Sequence, residues 1–242
     1  MKKHLPNAIT LLNLLSGCMA ILYLFKGEIW SMAFFVFLAA FFDLMDGMIA
    51  RLLHVSSAIG KELDSLADMI SFGLMPGLVM MTLLQQSDLQ KWTNGNVALS
   101  WLIYFPLLIT VFSALRLAKF NIDTRQQSEF IGLPTPANTL WIVSLPIVLK
   151  MMPGEFDFLI LNAPLLICIS ALSCYLMVAE IPLFSFKMNG FSARKYSFQY
   201  VLILFAVATF FAISFAAIPL IVAFYVLLSV FRNFKKIGRA HV

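Results

Sequence analysis

Residues 42–68 read FDLMDGMIARLLHVSSAIGKELDSLAD. Four aspartates in this run, Asp43, Asp46, Asp64 and Asp68, organise the reading of the whole chain. They make up a third of the 12 Asp+Glu in 242 residues, and they fall in a sequence that is otherwise mostly hydrocarbon. An ionised aspartate at the centre of a bilayer costs about 2.5–3.5 kcal/mol on insertion scales. Four in one place call for a compensating partner, and a divalent cation is the simplest one.

Outward from that run, the composition is that of a membrane protein. Hydrophobic residues make up 61% and charged residues 12%, with a mean hydropathy of +0.91. Soluble domains are about 45–50% apolar and about 25% charged. The three cysteines (Cys18, Cys168 and Cys174) form no CxxC pair and read as small buried hydrophobes. The net charge of +5 would suggest nucleic acid in a soluble protein, but here topology explains it and no nucleic acid is expected.

Breaks at Pro, Gly and charge clusters divide the chain into eight apolar spans near 5–25, 29–53, 62–85, 97–119, 135–152, 156–179, 196–213 and 215–233. The expected fold class is all-α: a polytopic membrane domain over 1–242, with a six-helix catalytic core in 1–180. Residues 181–242 add two helices and a basic tail. With the N-terminus in the cytoplasm, 14 of the 17 Lys+Arg flank cytoplasmic ends, leaving Lys26, Lys91 and Lys150 outside. Both termini and the acidic run then face the cytoplasm, and the cell inner membrane is the expected location.

Asp43 and Asp46 are three residues apart, and Asp64 and Asp68 four apart, so each pair shares one face of its helix. Gly47, Ala50 and Arg51 continue the first face, and Gly60 lies one turn before Asp64. Oxygen-only ligands select hard cations. Two such ions held by shared carboxylates are a recurring device for displacement at phosphorus, and Arg51 is placed to clamp a phosphate oxygen. The rival structural reading pairs the acids with Arg51 and Lys61, which leaves a surplus of negative charge.

The pattern Asp43-x-x-Asp46-Gly47-x-x-Ala50-Arg51, eight residues, then Gly60-x-x-x-Asp64-x-x-x-Asp68, resembles the signature of the CDP-alcohol phosphatidyltransferase family. The resemblance implies an integral-membrane enzyme of the CDP-alcohol phosphotransferase fold that displaces CMP from a CDP-linked lipid with an alcohol. It implies Mg²⁺ or Mn²⁺, two ions, on Asp43, Asp46, Asp64 and Asp68. Asp68 is then also the general base, and Gly47, Ala50, Arg51 and Gly60 contact the cytidine diphosphate. Asn7, Thr10 and Asn13 lie along one side of the first span and are candidates for nucleotide or phosphate contact, or for plain interhelical hydrogen bonds.

SFGLMP at 71–76, LRLAKFN at 115–121 and GLPTPA at 132–137 resemble the serine-accepting branch of that family. CDP-diacylglycerol and L-serine are the substrates this implies, with membrane lipid as the surroundings and room for a homodimer. Ser71, Arg116, Lys119 and Arg125 are the candidate acceptor residues, because free serine brings a carboxylate. The three bases also fit ordinary positive-inside anchoring. Glycerol 3-phosphate or inositol as acceptor, and a divalent-cation transporter, are the competing readings.

Overall fold

The computed structural model describes residues 4–55, 57–94, 96–122, 130–183 and 197–240. Among them helices dominate: α1 (His4–Phe25), α2 (Ile29–Leu52), α3 (Ala58–Asp68), a π-helical segment (Met69–Leu74) and α4 (Met75–Gln86). Next come the short α5 (Leu89–Trp92) and α6 (Val97–Ser100), a 3-10 stretch (Trp101–Leu107) and α7 (Leu108–Ile122). Then follow α8 (Thr135–Met151), α9 (Asp157–Ile160), α10 (Ala163–Val178), α11 (Ser197–Ile213) and α12 (Ala217–Ala240).

Joined end to end, these form eight rods at the positions of the eight expected spans. Four are long and apolar enough to cross a membrane: His4–Phe25, Ile29–Leu52, Ala58–Gln86 and Trp101–Ile122. Ala163–Val178, Phe198–Ile213 and Ala217–Ser229 are shorter apolar helices. The protein is a polytopic, all-α membrane protein. Large apolar side chains such as Leu15, Phe34, Phe41 and Leu44 stand on its surface, which suits hydrocarbon rather than water. Cys18 and Cys168 are exposed and only Cys174 is buried, so two of the three cysteines are not the core residues expected of them.

Local chemistry sets the breaks. Gly27 takes a left-handed φ of +73° in the turn joining α1 to α2, a conformation glycine adopts without steric cost. The Ser57 side chain accepts from the Gly60 N–H at 3.0 Å and so caps α3. Asn162 caps α10 by accepting from the Leu165 N–H at 3.0 Å. That cap splits the expected span 156–179 into α9 and α10. Helix α7 runs on to Ile122, past the expected end of its span at 119, so Asn121 is helical along with Arg116 and Lys119.

The rod α3–π–α4 occupies the centre: 61% of its apolar window is buried, against 33% or less for the other three long rods. Its π segment leaves carbonyls without their usual helical partners, and neighbouring hydroxyls supply them. Thr110 Oγ1 donates to the Gly73 carbonyl at 3.1 Å, and Thr139 Oγ1 donates to the Phe72 carbonyl at 3.0 Å. Ser71 Oγ donates to the Asn13 carbonyl at 3.1 Å. Helices α1, α7 and α8 are thereby tied to one point directly after Asp68. A two-residue antiparallel pair, β1 (Phe130–Ile131) with β2 (Pro182–Leu183), fastens the lead-in of α8 to the chain just after α10.

Candidate active site

The aspartates of α2 and α3 meet where those helices pack beside α1. One carboxylate oxygen each from Asp43, Asp64 and Asp68 lies within 4.8 Å of the others. Two like charges about 4 Å apart repel by about 4 kcal/mol at an effective dielectric near 20. Asp64 Oδ1 is also buried without a hydrogen-bond partner. Orphaned oxygen in an all-carboxylate donor set fits a hard divalent cation, and Asp43, Asp64 and Asp68 are the residues placed to hold one.

Asp46 stands apart from this trio, and Thr10 Oγ1 donates to its Oδ2 at 2.5 Å. Asn13 Nδ2 donates to Asp68 Oδ1 at 3.1 Å. Helix α1 therefore supplies one neutral donor to each of two aspartates, from positions three residues apart on one face. Asn13, Thr10, Asp46 and Asp68 are all buried.

A cleft of about 270 Å³ opens beside the trio, lined by Asn7, Thr10, Asp46, Gly47, Ala50, Gly60 and Asp64, with Pro6, Val55, Ser57 and Lys61. The two glycines in its wall do different things. A Cβ on Gly47 would meet nothing within 4 Å, so its missing side chain leaves open space. A Cβ on Gly60 would lie 2.8 Å from Ser57 Oγ and 2.9 Å from Asn7 Oδ1, so its absence lets α1 and the α3 cap come close.

Not every expected residue gathers here. Arg51 is exposed and borders a separate depression with Met48, Leu52 and His54. Lys61 Nζ donates to the Asn121 carbonyl at 2.5 Å, and Asn121 Nδ2 donates to Ser65 Oγ at 2.8 Å. Those two contacts tie α3 to α7. Ser71 is buried, with its hydroxyl engaged on α1.

Of the expected acceptor bases, Arg116 is 8% exposed. Its Nη1 donates to Thr135 Oγ1 at 3.3 Å, its guanidinium carbon lies 5.9 Å from the Phe120 ring centroid, and its Nε has no partner. Its charge interacts with that of Asp68. Lys119 is exposed, and Arg125 lies outside the described residues. In α8, Thr135 was read only as part of GLPTPA, and Asn138 and Thr139 went unread; all three are wholly buried. Their spacing of three and four in an otherwise apolar helix was the available signal.

A sequence model of CDP-alcohol phosphatidyltransferases matches residues 3–175. Over 158 residues the chain is 35% identical to the CDP-diacylglycerol–serine O-phosphatidyltransferase of Mycobacterium tuberculosis, covering 62% of this chain and 51% of that one. It thus spans about half the length of the mycobacterial relatives it matches. Proteins of the same name from Bacillus subtilis and Helicobacter pylori are 32% and 27% identical over 192 and 230 residues. Those matches cover 77% and 94% of this chain, and 93% and 90% of the relatives.

Proposed function

The chain belongs to the CDP-alcohol phosphatidyltransferase family, and from that premise we propose that it transfers the phosphatidyl group of CDP-diacylglycerol to L-serine, releasing CMP. The observation that carries the reading is the meeting of Asp43, Asp64 and Asp68 beside a cleft lined by the signature residues Asp46, Gly47, Ala50 and Gly60. The names of the relatives support serine as the acceptor.

Mg²⁺ or Mn²⁺, as two ions on Asp43, Asp46, Asp64 and Asp68, would neutralise the diphosphate and stabilise the charge that develops during displacement. The protein's own part is positioning and proton transfer. Asn7, Thr10, Gly47, Ala50 and Gly60 hold the cytidine diphosphate in the cleft, with Arg51 at its outer margin on phosphate. The serine hydroxyl attacks the phosphatidyl phosphorus as the bond to the CMP oxygen breaks, and Asp68 takes the hydroxyl proton. Asn13 fixes the Asp68 carboxylate, and Thr10 fixes that of Asp46, so neither must reorient during the step.

Residues 1–180 form the catalytic core in this reading, and 181–242 add the last two helices. The active site and both termini face the cytoplasm at the inner membrane, following the asymmetry of Lys and Arg. The test is CMP release by the purified protein from CDP-diacylglycerol, with serine, glycerol 3-phosphate or inositol supplied singly. Release with serine, with phosphatidylserine as product, is the expected result; release with either of the others but not with serine overturns the assignment.

A further inference from the structure

Helices α7 and α8, seated on the π segment after Asp68, carry a second group of buried polar side chains that the donor half does not use. Asn138 is completely buried, yet neither its Nδ2 nor its Oδ1 has a hydrogen-bond partner. Arg116, 8% exposed, carries an unpartnered Nε. More than nine in ten buried polar groups find a partner, so three orphaned atoms on two neighbouring helices are not a packing accident.

These atoms belong to one locality. Arg116 Nη1 donates to Thr135 Oγ1 at 3.3 Å, and Asn138 lies one turn further along α8 from Thr135. Thr139, the next residue, donates to the Phe72 carbonyl at 3.0 Å, so this part of α8 is seated on the π segment that follows Asp68. Arg116 in turn feels the charge of Asp68. The orphaned donors and acceptor therefore lie on the two helices that pack on the π segment directly after the proposed base.

We infer that Arg116, Thr135 and Asn138 form the subsite that reads the charged end of the acceptor, and that the ligand they suit is a zwitterionic amino acid. The inference rests on serine being the acceptor and names what recognises it. A carboxylate accepts from Arg116 Nε–H and from Asn138 Nδ2–H, and an ammonium donates to Asn138 Oδ1. All three orphaned atoms are then satisfied together. A phosphate monoester of glycerol can offer Asn138 Oδ1 only a neutral hydroxyl, not a charged donor. A neutral polyol offers no charge to Arg116, and leaving a buried charge uncompensated is costly. The same set thus favours an acceptor that carries a carboxylate and an ammonium together.

The test compares wild-type protein with Asn138→Leu and Arg116→Lys, the latter keeping the charge and losing Nε. The steady-state KM is measured for serine and for CDP-diacylglycerol, alongside kcat and the thermal shift produced by serine alone. Loss of one hydrogen bond to a charged group predicts a rise in serine KM of about tenfold or more in each variant, with the CDP-diacylglycerol KM within about twofold of wild type. The serine-dependent thermal shift should disappear, and discrimination against serine methyl ester should fall in Asn138→Leu. An unchanged serine KM in the folded variants overturns the subsite while leaving serine as the acceptor. So does an equal rise in both KM values, or a loss of kcat alone, since a water-filled packing role gives those results. Should Asn138→Leu fail to fold, the Arg116→Lys comparison decides alone. Wild-type protein that ignores serine overturns both the subsite and the activity it rests on.

Discussion

Replacing Gly17 by alanine should slow turnover more than it harms the fold, and the structure gives the size of the effect. Gly17 lies on α1 against the π segment. A Cβ there would run into Ser71 Oγ and would sit 2.9 Å from the Ser71 Cα and 3.0 Å from its Cβ. Carbon–carbon contacts are most favourable at about 3.5–4.0 Å, so α1 and the π segment must part by about 0.6 Å. Ser71 holds the Asn13 carbonyl at 3.1 Å, and Asn13 holds Asp68 at 3.1 Å. A stretch of about 0.6 Å takes either bond beyond hydrogen-bonding range.

Overpacking of this kind costs about 1–3 kcal/mol, or about 2–12 °C in Tm for a chain of this length. Misplacing a catalytic group by about 1 Å costs about a hundredfold, so kcat should fall by about tenfold or more. The KM for CDP-diacylglycerol should hold within about threefold, because Asn7, Gly47 and Gly60 lie further along and form the cleft without Gly17. Thermal unfolding in detergent and steady-state CMP release measure the two quantities. Adding Ser71→Gly removes two of the three clashing atoms but leaves the 2.9 Å contact with the residue-71 Cα, so the double variant should regain stability and kcat only in part. A Gly17→Ala protein that matches wild type in both Tm and kcat refutes the claim that this contact sets the position of Asp68.

Four further outcomes follow from the same geometry. Mn²⁺ at about a hundred times its Kd should stabilise the protein by about 2.7 kcal/mol, a rise of about 5–10 °C in Tm; Asp64→Asn should lose that rise, and a rise retained in full means the trio is not the metal site. Asp68→Asn should lower kcat by about 10²–10⁴-fold, the range expected for a lost general base, and turnover close to wild type removes Asp68 from that role. Thr10→Val, which deletes the donor to Asp46, should reduce turnover by about tenfold or more while Thr10→Ser preserves it; equal activities would make the hydroxyl irrelevant. Gly47→Ala should keep or raise thermal stability, since alanine is the better helix former by about 1 kcal/mol and meets no clash. It should nonetheless raise the KM for CDP-diacylglycerol, whereas Gly60→Ala should lose stability through its clash with Ser57 and Asn7; the reverse pattern contradicts the assignment of the cleft.

The helical rods were legible because long apolar runs bounded by Pro, Gly and charge leave few other folds open to a chain in lipid. The donor half of the site was legible for a similar reason. Asp43, Asp46, Gly47, Ala50, Gly60, Asp64 and Asp68 occupy two consecutive helices joined by a short connection, so spacing along the chain translates directly into shared faces. Spacing says nothing of how one helix tilts against another. Hence the spacing that grouped the four acids did not show that α1 crosses close enough for Thr10 to donate to Asp46. Nor did it show that the Arg51 side chain borders a second depression with Met48, Leu52 and His54.

The acceptor half lacked any such local record. Its parts come from α7 and α8, two rods separated in sequence from α3, and what brings them to Asp68 is the π segment at Met69–Leu74. No residue type demands a π turn there. Thr110 and Thr139 donate to its carbonyls from α7 and α8, and its Ser71 hydroxyl donates to the Asn13 carbonyl on α1. Each of those bonds also fixes the distance from its own helix to Asp68. One irregularity thus serves as the joint at which α1, α3 and the buried polar groups of α7 and α8 are held in register. The reading of GLPTPA stopped at Ala137, one residue short of Asn138. In the sequence, Asn138 is one more polar side chain in a membrane helix; only the packing around the joint leaves both ends of its amide unanswered.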